Sequence, residues 1–394
     1  MRSLRLLFIE PCPRDFGGYF RAISLARAIA KLGHQVKVVV PARTWGPLRT
    51  HSEVGEGVHL VEHAEISRWP FGKIVRIPLV AAEVLASKAD LVHVFCGVHP
   101  ENLVGLLLAC ALKKKVLVDW DDFWQDSPAF LDAGSVVRSY VKFAEEFGIQ
   151  RGLGVTVASA YLENRAKRLR SGPIHRVPNG VWKEQFDLVP RSRARQDLEI
   201  SPDALVVLAF GNTYLQGRGR MLVEAFARLL REKPDAIALS NLPLDVLWRA
   251  DGGSGPLPPS AERARCVGQI PEKRLGLYLG AADFVVFLSN DRPVERASYP
   301  IRIGTYLNGE CPIVTNQRET EVGLLVRRFG CGIIAEDPVQ AAYAMIKAHQ
   351  DVPAYQAMVD GTRAAKAALD YDLIGQDLLR FYEKTLRGSF CIPP

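Results

Sequence analysis

The amino-acid sequence predicts an α/β protein made of two doubly wound domains. Its first half contains five short apolar runs rich in β-branched residues, at residues 4–9, 35–40, 91–95, 115–118 and 154–159. Longer amphipathic stretches separate these runs, which is typical of a parallel sheet covered by helices on both faces. The same alternation resumes after residue 202, and 394 residues exceed the length at which one hydrophobic core usually keeps growing.

Each half repeats the order strand, glycine-containing loop, helix, strand. In the first half, residues 19–32 form an amphipathic helix that ends at Gly33. In the second half, the strands are predicted at residues 205–210, 237–240, 265–267, 284–288 and 312–315. The arginine-rich stretch 191–202 is interpreted as the linker region. We therefore expect an N-terminal domain at 1–190, a C-terminal domain at 191–375, and a helix and tail at 376–394 that return to the first domain.

Composition excludes several classes of protein. Hydrophobic residues make up 48% and charged residues 24%, which excludes a disordered chain, collagen and a coiled coil. The longest apolar run, residues 103–112, is shorter than the roughly 20 residues of a membrane-spanning helix. The first residues are interpreted as a strand rather than a signal peptide. Seven scattered cysteines without a C-x-x-C pair predict reduced thiols in the cytoplasm and no structural zinc.

The net charge of +7 is carried by the first half of the chain. Residues 1–180 contain 24 Lys and Arg against 17 Asp and Glu, whereas residues 181–394 are balanced at 26 against 26. This bias favours an anionic partner such as a membrane surface or a diphosphate-bearing acceptor, and a solvated basic face is an equal alternative. Because no zinc-finger, cold-shock or RNP-type motif accompanies the charge, nucleic acid is not expected.

Several short motifs, in order along the chain, resemble those of the retaining glycosyltransferases of family 4. They are Phe16-Gly17-Gly18-Tyr19, Val177-Pro178-Asn179-Gly180, Val267-Gly268, Ala281-Ala282-Asp283, and the stretch from Glu295 through Pro300-Ile301-Arg302 to Pro312. The resemblance spans nearly the whole chain. It implies a GT-B fold, in which two Rossmann-like domains face an interdomain cleft. It also implies that the second domain mainly holds a nucleotide-sugar donor and that the first mainly holds the acceptor.

Gly17 and Gly18 follow the first predicted strand and open a helix. Without side chains, their backbone N–H groups can approach an anionic ligand closely. The resemblance makes them catalytic residues, with Tyr19 on the acceptor side. The spacing differs from G-x-G-x-x-G, which argues against a nicotinamide-dependent dehydrogenase. A plain strand-to-helix turn is the structural alternative.

The resemblance further implies an Arg and a Lys that neutralise the departing diphosphate of the donor. Asn212 stands in the place of the Arg, and Arg218, expected to be catalytic, stands in the place of the Lys. Because the developing charge needs a cation but not one residue type, Arg220 or Arg302 is expected to supply the second. Solvated loop arginines are the alternative for Arg218 and Arg220.

Two glutamates separated by seven residues are also implied, the first near the donor sugar and the second on the ribose. Glu295 matches the first, whereas Thr305 stands in the place of the second. A hydroxyl binds a ribose hydroxyl more weakly than a carboxylate does. A surface carboxylate in a charged loop is the alternative for Glu295.

The remaining donor contacts are expected from the backbone. The turn at Tyr299 and Pro300 opens a helix, so the amides of Ile301 and Arg302 are expected to face a phosphate. The resemblance places Gly268 and Ile270 where the backbone binds the nucleobase.

The run Asp119-Trp120-Asp121-Asp122 ends a strand and by itself resembles an Asp-x-Asp metal site. It lies in the first domain, and the resemblance implies an enzyme that works without metal, so neither a metal nor another cofactor is expected. Asp121 is instead assigned to the catalytic site on the acceptor side, with helix capping as the alternative. His93 and His99 flank a neighbouring strand-to-helix loop and are also assigned to the acceptor side, with satisfied structural histidines as the alternative.

Two basic segments are candidates for contact with an anionic membrane beside a polyprenyl-linked acceptor. The first contains Arg165, Lys167, Arg168, Arg170 and Arg176, and the second contains Trp69, Phe71, Lys73 and Arg76. A solvated face is the alternative for both.

The sequence thus predicts a cytoplasmic enzyme, with peripheral contact at the inner face of the membrane left open. It would transfer a hexose-type sugar from a nucleotide-diphosphate-sugar donor to a hydroxyl of a glycan, polyprenyl-linked or small-molecule acceptor, with retention of configuration. Two alternatives stay open. One is a non-catalytic protein of the same fold that binds nucleotide-sugars or acts as a scaffold, and the other is a nucleotide-sugar epimerase.

Overall fold

The computed structural model describes residues 3–43, 46–64, 71–131, 133–211 and 218–388, and for 71–74 and 128–129 it describes the backbone alone. The chain divides into two compact units. Unit 1 comprises Met1–Gly180, Ala297–Ile301 and Tyr371–Pro394. Unit 2 comprises Val181–Arg296 and Arg302–Asp370.

The limits of the units differ from the expected domain limits. Unit 1 first ends at Gly180 rather than at residue 190, and its C-terminal part begins at Tyr371 rather than at residue 376. Ala297–Ile301, expected in the second domain, belongs to unit 1. The reason is packing, because Ala297 is buried in the hydrophobic core of unit 1.

Unit 1 begins as a succession of strands and helices. In chain order they are β1 (Arg5–Ile9), α1 (Gly17–Lys31), β2 (Gln35–Pro41), β3 (Arg49–Glu53), β4 (Val58–His63), α2 (Phe71–Ala86), β5 (Leu91–Phe95), α3 (Pro100–Ala111), β6 (Val116–Trp120), a 3-10 turn (Trp124–Asp126), α4 (Pro128–Leu131), α5 (Ser135–Arg151), β7 (Gly154–Val157), α6 (Ala160–Leu169) and β8 (Ile174–Arg176).

The described strands of unit 1 form one eight-stranded sheet in the order β3-β4-β2-β1-β5-β6-β7-β8. All neighbours are parallel except β3 and β4, which are antiparallel. Every residue of β5 and β6 is buried, as expected for central strands covered by helices. The carboxyl ends of β1, β5 and β6 lie side by side, and the residues that follow them are Glu10, Cys96 and Asp121.

Unit 2 has the same kind of architecture. Its elements are a 3-10 turn (Lys183–Gln185), α7 (Arg191–Asp197), β9 (Val206–Ala209), α8 (Gly219–Glu232), β10 (Ile237–Ser240), α9 (Leu244–Ala250), a 3-10 turn (Ala261–Arg263), β11 (Arg265–Cys266), a 3-10 turn (Glu272–Arg274), α10 (Leu275–Ala281), β12 (Phe284–Phe287), α11 (Pro293–Ala297), α12 (Arg302–Asn308), β13 (Ile313–Thr315), α13 (Glu321–Phe329), β14 (Gly332–Ile334), α14 (Pro338–Gln350) and α15 (Val352–Ala368). In the part of unit 2 that the structure describes, six parallel strands pair in the order β11-β10-β9-β12-β13-β14. The fold is therefore α/β with two parallel-sheet domains, as predicted.

The stretch interpreted as a linker is not one, because it contains α7. Arg195 of this helix is buried and donates to the carboxylate of Asp283 and to the carbonyls of Pro202 and Ala204. Arg191 also pairs with Asp283. The buried carboxylate thus fastens this arginine-rich segment to the sheet of unit 2.

The last helix, α16 (Tyr371–Arg387), packs on α1 of unit 1. The contact is close, since a Cβ on Gly375 would lie 2.5 Å from the Cβ of Ala28. Lys31 pairs with Asp372 at the edge of this contact. Two helices, α15 and α16, follow Gln350 in the described residues, and only the second belongs to unit 1.

Candidate active site

The start of α1 faces the carboxyl end of β1 in unit 1. Phe16 precedes the helix and offers no side-chain cap to its first turn. A Cβ on Gly18 would lie 2.5 Å from Oε1 of Glu10, so glycine is required for this packing. Gly17 is adjacent to Ile301, whose Cγ2 would lie 3.9 Å from a Cβ at Gly17. Gly18 thus has a structural reason in addition to the predicted approach of an anion, whereas a Cβ at Gly17 would make only an ordinary van der Waals contact.

Asp121 follows β6 and is half-buried. Burial, together with the charges of Asp122 and Asp119, raises the pKa of Asp121 to about 8. Its buried Oδ1 accepts no hydrogen bond from any described residue. At neutral pH this side chain is therefore largely a neutral carboxylic acid, able to donate a hydrogen bond as well as accept one.

Glu10 is a site residue that the sequence analysis missed. It is 2% exposed, and its Oε1 accepts a hydrogen bond of 2.8 Å from the backbone of Cys12. Burial and then the charge of Asp121 raise the pKa of Glu10 to about 8. Its place as the first residue after an apolar strand, next to the glycine pair, was the available indication.

A buried polar network lies behind this edge of the sheet. Arg21 on α1 donates to both carboxylate oxygens of Asp119, each at 2.8 Å, and to Oδ1 of Asn179 at 2.9 Å. Asn179 in turn donates to the carbonyl of Tyr299. Asp119 also accepts from Thr156. Asp119 is therefore the partner of an arginine and is separate in role from Asp121.

The residues assigned to the acceptor side differ in accessibility. His93 is fully buried, and its ring contacts the hydroxyls of Tyr382 at 2.7 Å and Thr156 at 3.0 Å. Burial lowers the pKa of His93 to about 4, so it is neutral and lies inside unit 1. Tyr19 is also buried. His99 is half-buried, precedes α3, and packs edge-on against Trp124.

In unit 2, Arg218 and Glu295 form a buried ion pair. Arg218 immediately precedes α8, and both its Nε and its Nη2 donate to the carboxylate of Glu295. The guanidinium carbon lies 5.2 Å from the ring centre of Phe287, the last residue of β12. The two residues that the sequence analysis assigned to catalysis in this unit are thus in direct contact.

The two candidates for the second cation lie in different surroundings. Nη1 of Arg302 donates to the carbonyl of Phe210 at 3.1 Å, just after β9. A Cβ on Gly211 would overlap this guanidinium, so glycine makes room for it. Arg220 is exposed, donates to Glu224 and lies over the ring of Trp248. Arg302 is therefore placed beside Phe210 and Gly211, which follow β9, and Asn212 lies outside the described residues.

Thr305 lies on α12 and is 9% exposed. Its hydroxyl is 3.2 Å from Oε1 of Gln185, a residue that the sequence analysis did not consider. Where the resemblance implies a second glutamate, the structure thus has the hydroxyl of Thr305 in contact with the side-chain amide of Gln185. Both groups can donate and accept hydrogen bonds.

The predicted nucleobase segment follows β11 at the edge of the sheet of unit 2. Gly268 has φ of +68°, a conformation that favours glycine, and Ile270 is half-buried. A nearby cavity of about 270 Å³ is lined by residues around Leu242, Leu257 and Cys266, and neither Gly268 nor Ile270 is among them.

The basic segments proposed for membrane contact are largely occupied by internal contacts. Arg170 donates to three backbone carbonyls at the end of α5, and Arg176 pairs with Glu163. Arg76 is fully buried with Glu101, while Trp69 lies outside the described residues, as do the side chains of Phe71 and Lys73. Among the helices of the described residues, none is long and apolar enough to cross a bilayer.

A different surface of unit 1 exposes apolar side chains. On α5, Val136 is 81% exposed and Phe143 is 57% exposed, two helical turns apart. Arg138 and Lys142 are exposed between them. The opposite side of α5 is buried through Val141, Ala144 and Ile149.

The sequence of residues 17–180 matches the glycosyl transferase 4-like domain. No curated protein sequence is significantly similar to the chain. Sucrose-phosphate synthase from Thermosynechococcus elongatus has a similar structure, with a TM-score of 0.72 and 16% identity over 97% of this chain and 99% of that protein.

Two further solved structures show the same likeness. HepE from Anabaena, in complex with UDP and glucose, has a TM-score of 0.68 and 15% identity over 97% of this chain and all of that one. WaaG, a glycosyltransferase involved in lipopolysaccharide biosynthesis, has a TM-score of 0.68 and 14% identity over 95% of this chain and 98% of that one. Residues 17–180 are therefore similar to a glycosyl transferase 4-like domain, and the chain as a whole has the GT-B fold.

Proposed function

We propose that this protein transfers a sugar from a nucleotide-diphosphate-sugar donor to a hydroxyl acceptor with retention of configuration. The observation that carries the proposal is the placement of Arg218, Glu295 and Arg302 in unit 2. Arg218 lies over the last residue of β12, and Arg302 lies beside the residues that follow β9. β9 and β12 are neighbouring parallel strands, and open α/β sheets bind ligands at the carboxyl ends of such strands.

The ion pair between Arg218 and Glu295 suits an exchange of partners on donor binding. A diphosphate would compete with Glu295 for the N–H groups of Arg218, because guanidinium groups bind phosphate oxygens with the same fork of donors. Once released, the carboxylate of Glu295 can accept hydrogen bonds from hydroxyls of the donor sugar. The pair would thus hold both charges in unit 2 until the donor arrives.

Charge at the departing diphosphate would be stabilised by Arg218 and Arg302. When the bond between the anomeric carbon and the diphosphate breaks, its electron pair stays on the phosphate oxygen, and cations placed there lower the barrier. We propose front-face attack by the acceptor hydroxyl, whose proton passes to the departing phosphate oxygen on the same face, so that no pair of carboxylates flanking the bond is needed. With these arginines in place, we propose that neither a metal ion nor another cofactor takes part.

The nucleoside part of the donor would bind at the remaining groups of unit 2. The hydroxyl of Thr305 and the amide of Gln185, which are in contact, offer hydrogen bonds to ribose hydroxyls. The backbone at Gly268 and Ile270 would bind the base. Tyr299, Pro300 and Ile301, the other expected donor contacts, belong to unit 1.

On the acceptor side, Asp121 and Glu10 favour a neutral hydroxyl group. Both carboxyl groups have a raised pKa, so at neutral pH they would bind an uncharged acceptor by hydrogen bonds. A neutral Asp121 is also a poor general base, in keeping with a reaction that needs none.

The exposed face of α5 suits peripheral contact with an anionic membrane in the cytoplasm. Apolar side chains of moderate size interleaved with cations are typical of a helix that lies on a lipid surface. A polyprenyl-linked or other lipid-linked glycan would then be the acceptor class.

The experiment that tests the activity is proton NMR of a donor incubated with the protein and with candidate acceptor glycans. Retained transfer gives a new glycoside with the anomeric configuration of the donor. A scaffold protein would bind the donor without releasing nucleotide, and an epimerase would convert the donor sugar without any acceptor. Either of the last two results would overturn the proposal.

A further inference from the structure

We propose that Asn179 is a positioning residue for the donor-binding segment Ala297–Ile301. This inference rests on the proposed function, because the segment includes Tyr299, Pro300 and Ile301. Asn179 lies after β8 and is 7% exposed. Asn179, the residues that support it and the segment Ala297–Ile301 all belong to unit 1.

The side-chain amide of Asn179 has only one orientation that fits its neighbours. Its Oδ1 is 2.9 Å from Nη1 of Arg21, and a guanidinium can only donate hydrogen bonds. The oxygen of the amide must therefore face Arg21. Nδ2 then faces the carbonyl of Tyr299, which can only accept. The amide thus links the guanidinium of Arg21, which donates, to the carbonyl of Tyr299, which accepts.

Arg21 is a rigid support for this contact. It is 1% exposed, and its Nε and Nη2 donate to the two oxygens of Asp119 on β6. Asp119 accepts a further hydrogen bond from Thr156 on β7. The position of Asn179 is thereby tied to two central strands of the sheet rather than to a loop.

The hydrogen bond from Asn179 to Tyr299 holds the backbone of the segment Ala297–Ile301 where it lies between two helices. Tyr299 and Pro300 are in neither helix nor strand, and only from Arg302 does a helix resume. Pro300 has a fixed φ, so holding the carbonyl of Tyr299 also limits the position of Ile301. Ile301 lies against Gly17 at the start of α1. Asn179 therefore sets where two of the expected phosphate-binding backbones, at Gly17 and Ile301, stand in unit 1.

The variant Asn179→Asp distinguishes a role of Asn179 in positioning the segment Ala297–Ile301 from a role in folding alone. The aspartate keeps the shape of the side chain and still accepts from Arg21, but it turns an oxygen without a proton towards the carbonyl of Tyr299. The hydrogen bond is replaced by repulsion, and the segment is expected to move while the contact of Arg21 with Asp119 stays. Tyr382→Phe is the matched control, because it removes a hydrogen bond to His93 in the same buried network at a point distant from the segment.

The probes are UDP, GDP, dTDP and ADP, followed by the sugar conjugates of whichever nucleotide binds the wild-type protein. We expect Asn179→Asp to raise the KM for the donor about tenfold or more, since the carbonyl of Tyr299 loses the hydrogen bond from Asn179. The KM for the acceptor should change less than twofold. Tyr382→Phe should leave both values unchanged, although it lowers the melting temperature as Asn179→Asp does.

A wild-type KM for the donor in Asn179→Asp would overturn the inference, as would an equal rise in Tyr382→Phe. If Asn179→Asp does not fold, Asn179→Ser, which introduces no charge, serves in its place with the same expected results. Failure of every nucleotide to bind the wild-type protein would instead overturn the proposed function, and this inference with it. The two failures are therefore distinguishable.

Discussion

Arg218 and Glu295 are held in a two-point ion pair within unit 2, and each is less than one-tenth exposed. A buried charge without its partner is costly, so the pair stabilises both residues in the absence of a ligand. Because of this ion pair, an anionic ligand that binds Arg218 has to replace the carboxylate of Glu295. The predictions for unit 2 follow from this arrangement.

Glu295→Gln should separate nucleotide binding from transfer. The variant frees Arg218 from its carboxylate, so we expect UDP, or whichever nucleoside diphosphate binds, to bind at least as tightly as it does to the wild-type protein. Transfer should slow about a hundredfold, because a preorganised group at the reacting sugar is lost. Calorimetry and a nucleotide-release assay measure the two effects.

The matched control is Glu224→Gln, which removes the carboxylate that pairs with the exposed Arg220. The distance between the paired atoms, 2.9 Å, is similar to the 3.1 Å between Nε of Arg218 and Oε1 of Glu295. It should alter neither binding nor transfer. Weaker nucleotide binding in Glu295→Gln would contradict the exchange of partners described above.

Arg302→Ala should weaken binding of the donor diphosphate about tenfold or more, since hydrogen bonds to charged groups contribute about 1.5–3 kcal/mol. Arg220→Ala is the control, because Arg220 lies over Trp248 and beside Glu224. Titration with the nucleoside diphosphate checks both variants. A larger loss in Arg220→Ala than in Arg302→Ala would show that the second cation has been assigned to the wrong residue.

The stability of the protein should depend on the protonation of Glu10 and Asp121. Both carboxyl groups have a pKa of about 8 in the folded chain, against about 4 in an unfolded chain. Between these pH values the folded state holds more protons on these two groups, so their contribution to the free energy of unfolding falls as the pH rises from about 5 to 8.

Urea unfolding across this pH range tests the effect. Glu10→Gln and Asp121→Asn should each flatten the decline, whereas Asp360→Asn, at an exposed carboxylate, should not. The same slope in all four proteins would mean that these two groups do not titrate as stated.

The exposed face of α5 should bind anionic lipid. We expect Val136→Asp combined with Phe143→Asp to abolish co-sedimentation with phosphatidylglycerol vesicles. The reason is that two apolar side chains, which would insert into the lipid surface, are replaced by negative charges that the anionic lipid repels. Leu373→Asp, at an exposed leucine of α16, is the control and should sediment like the wild-type protein. Equal sedimentation of all three proteins, or none with the wild type, would exclude this surface.

The sequence predicted most of the two sheets because buried parallel strands are runs rich in β-branched residues, as at β2 and β5. It missed β4, β8 and β14, and it missed β3, whose five polar residues alternate between exposed and half-buried positions at the edge of the sheet. It also misread the arginine-rich stretch at α7. Nothing local indicates that Arg195 is buried, because its partner Asp283 lies far along the chain.

Residues of the candidate site could be predicted where they belong to a sequence motif, and could not be predicted where their role depends on packing in the fold. The motifs led to Arg218 and Glu295, which the fold brings into contact. The choice of Arg302 over Arg220 depended on the space left by Gly211, which a sequence does not reveal. Glu10 escaped notice because its significance comes from the neighbouring strand that ends at Asp121 and from its burial.

The central claim is that this chain binds a nucleotide-diphosphate-sugar, and a thermal-shift panel of UDP, GDP, dTDP, ADP and their sugar conjugates tests it most directly. A ligand that binds only the folded state must raise the melting temperature. We predict that one nucleotide family raises it and that the rise is smaller in Arg302→Ala and kept in Arg220→Ala. No rise with any of them, for folded protein at saturating ligand, would contradict the account.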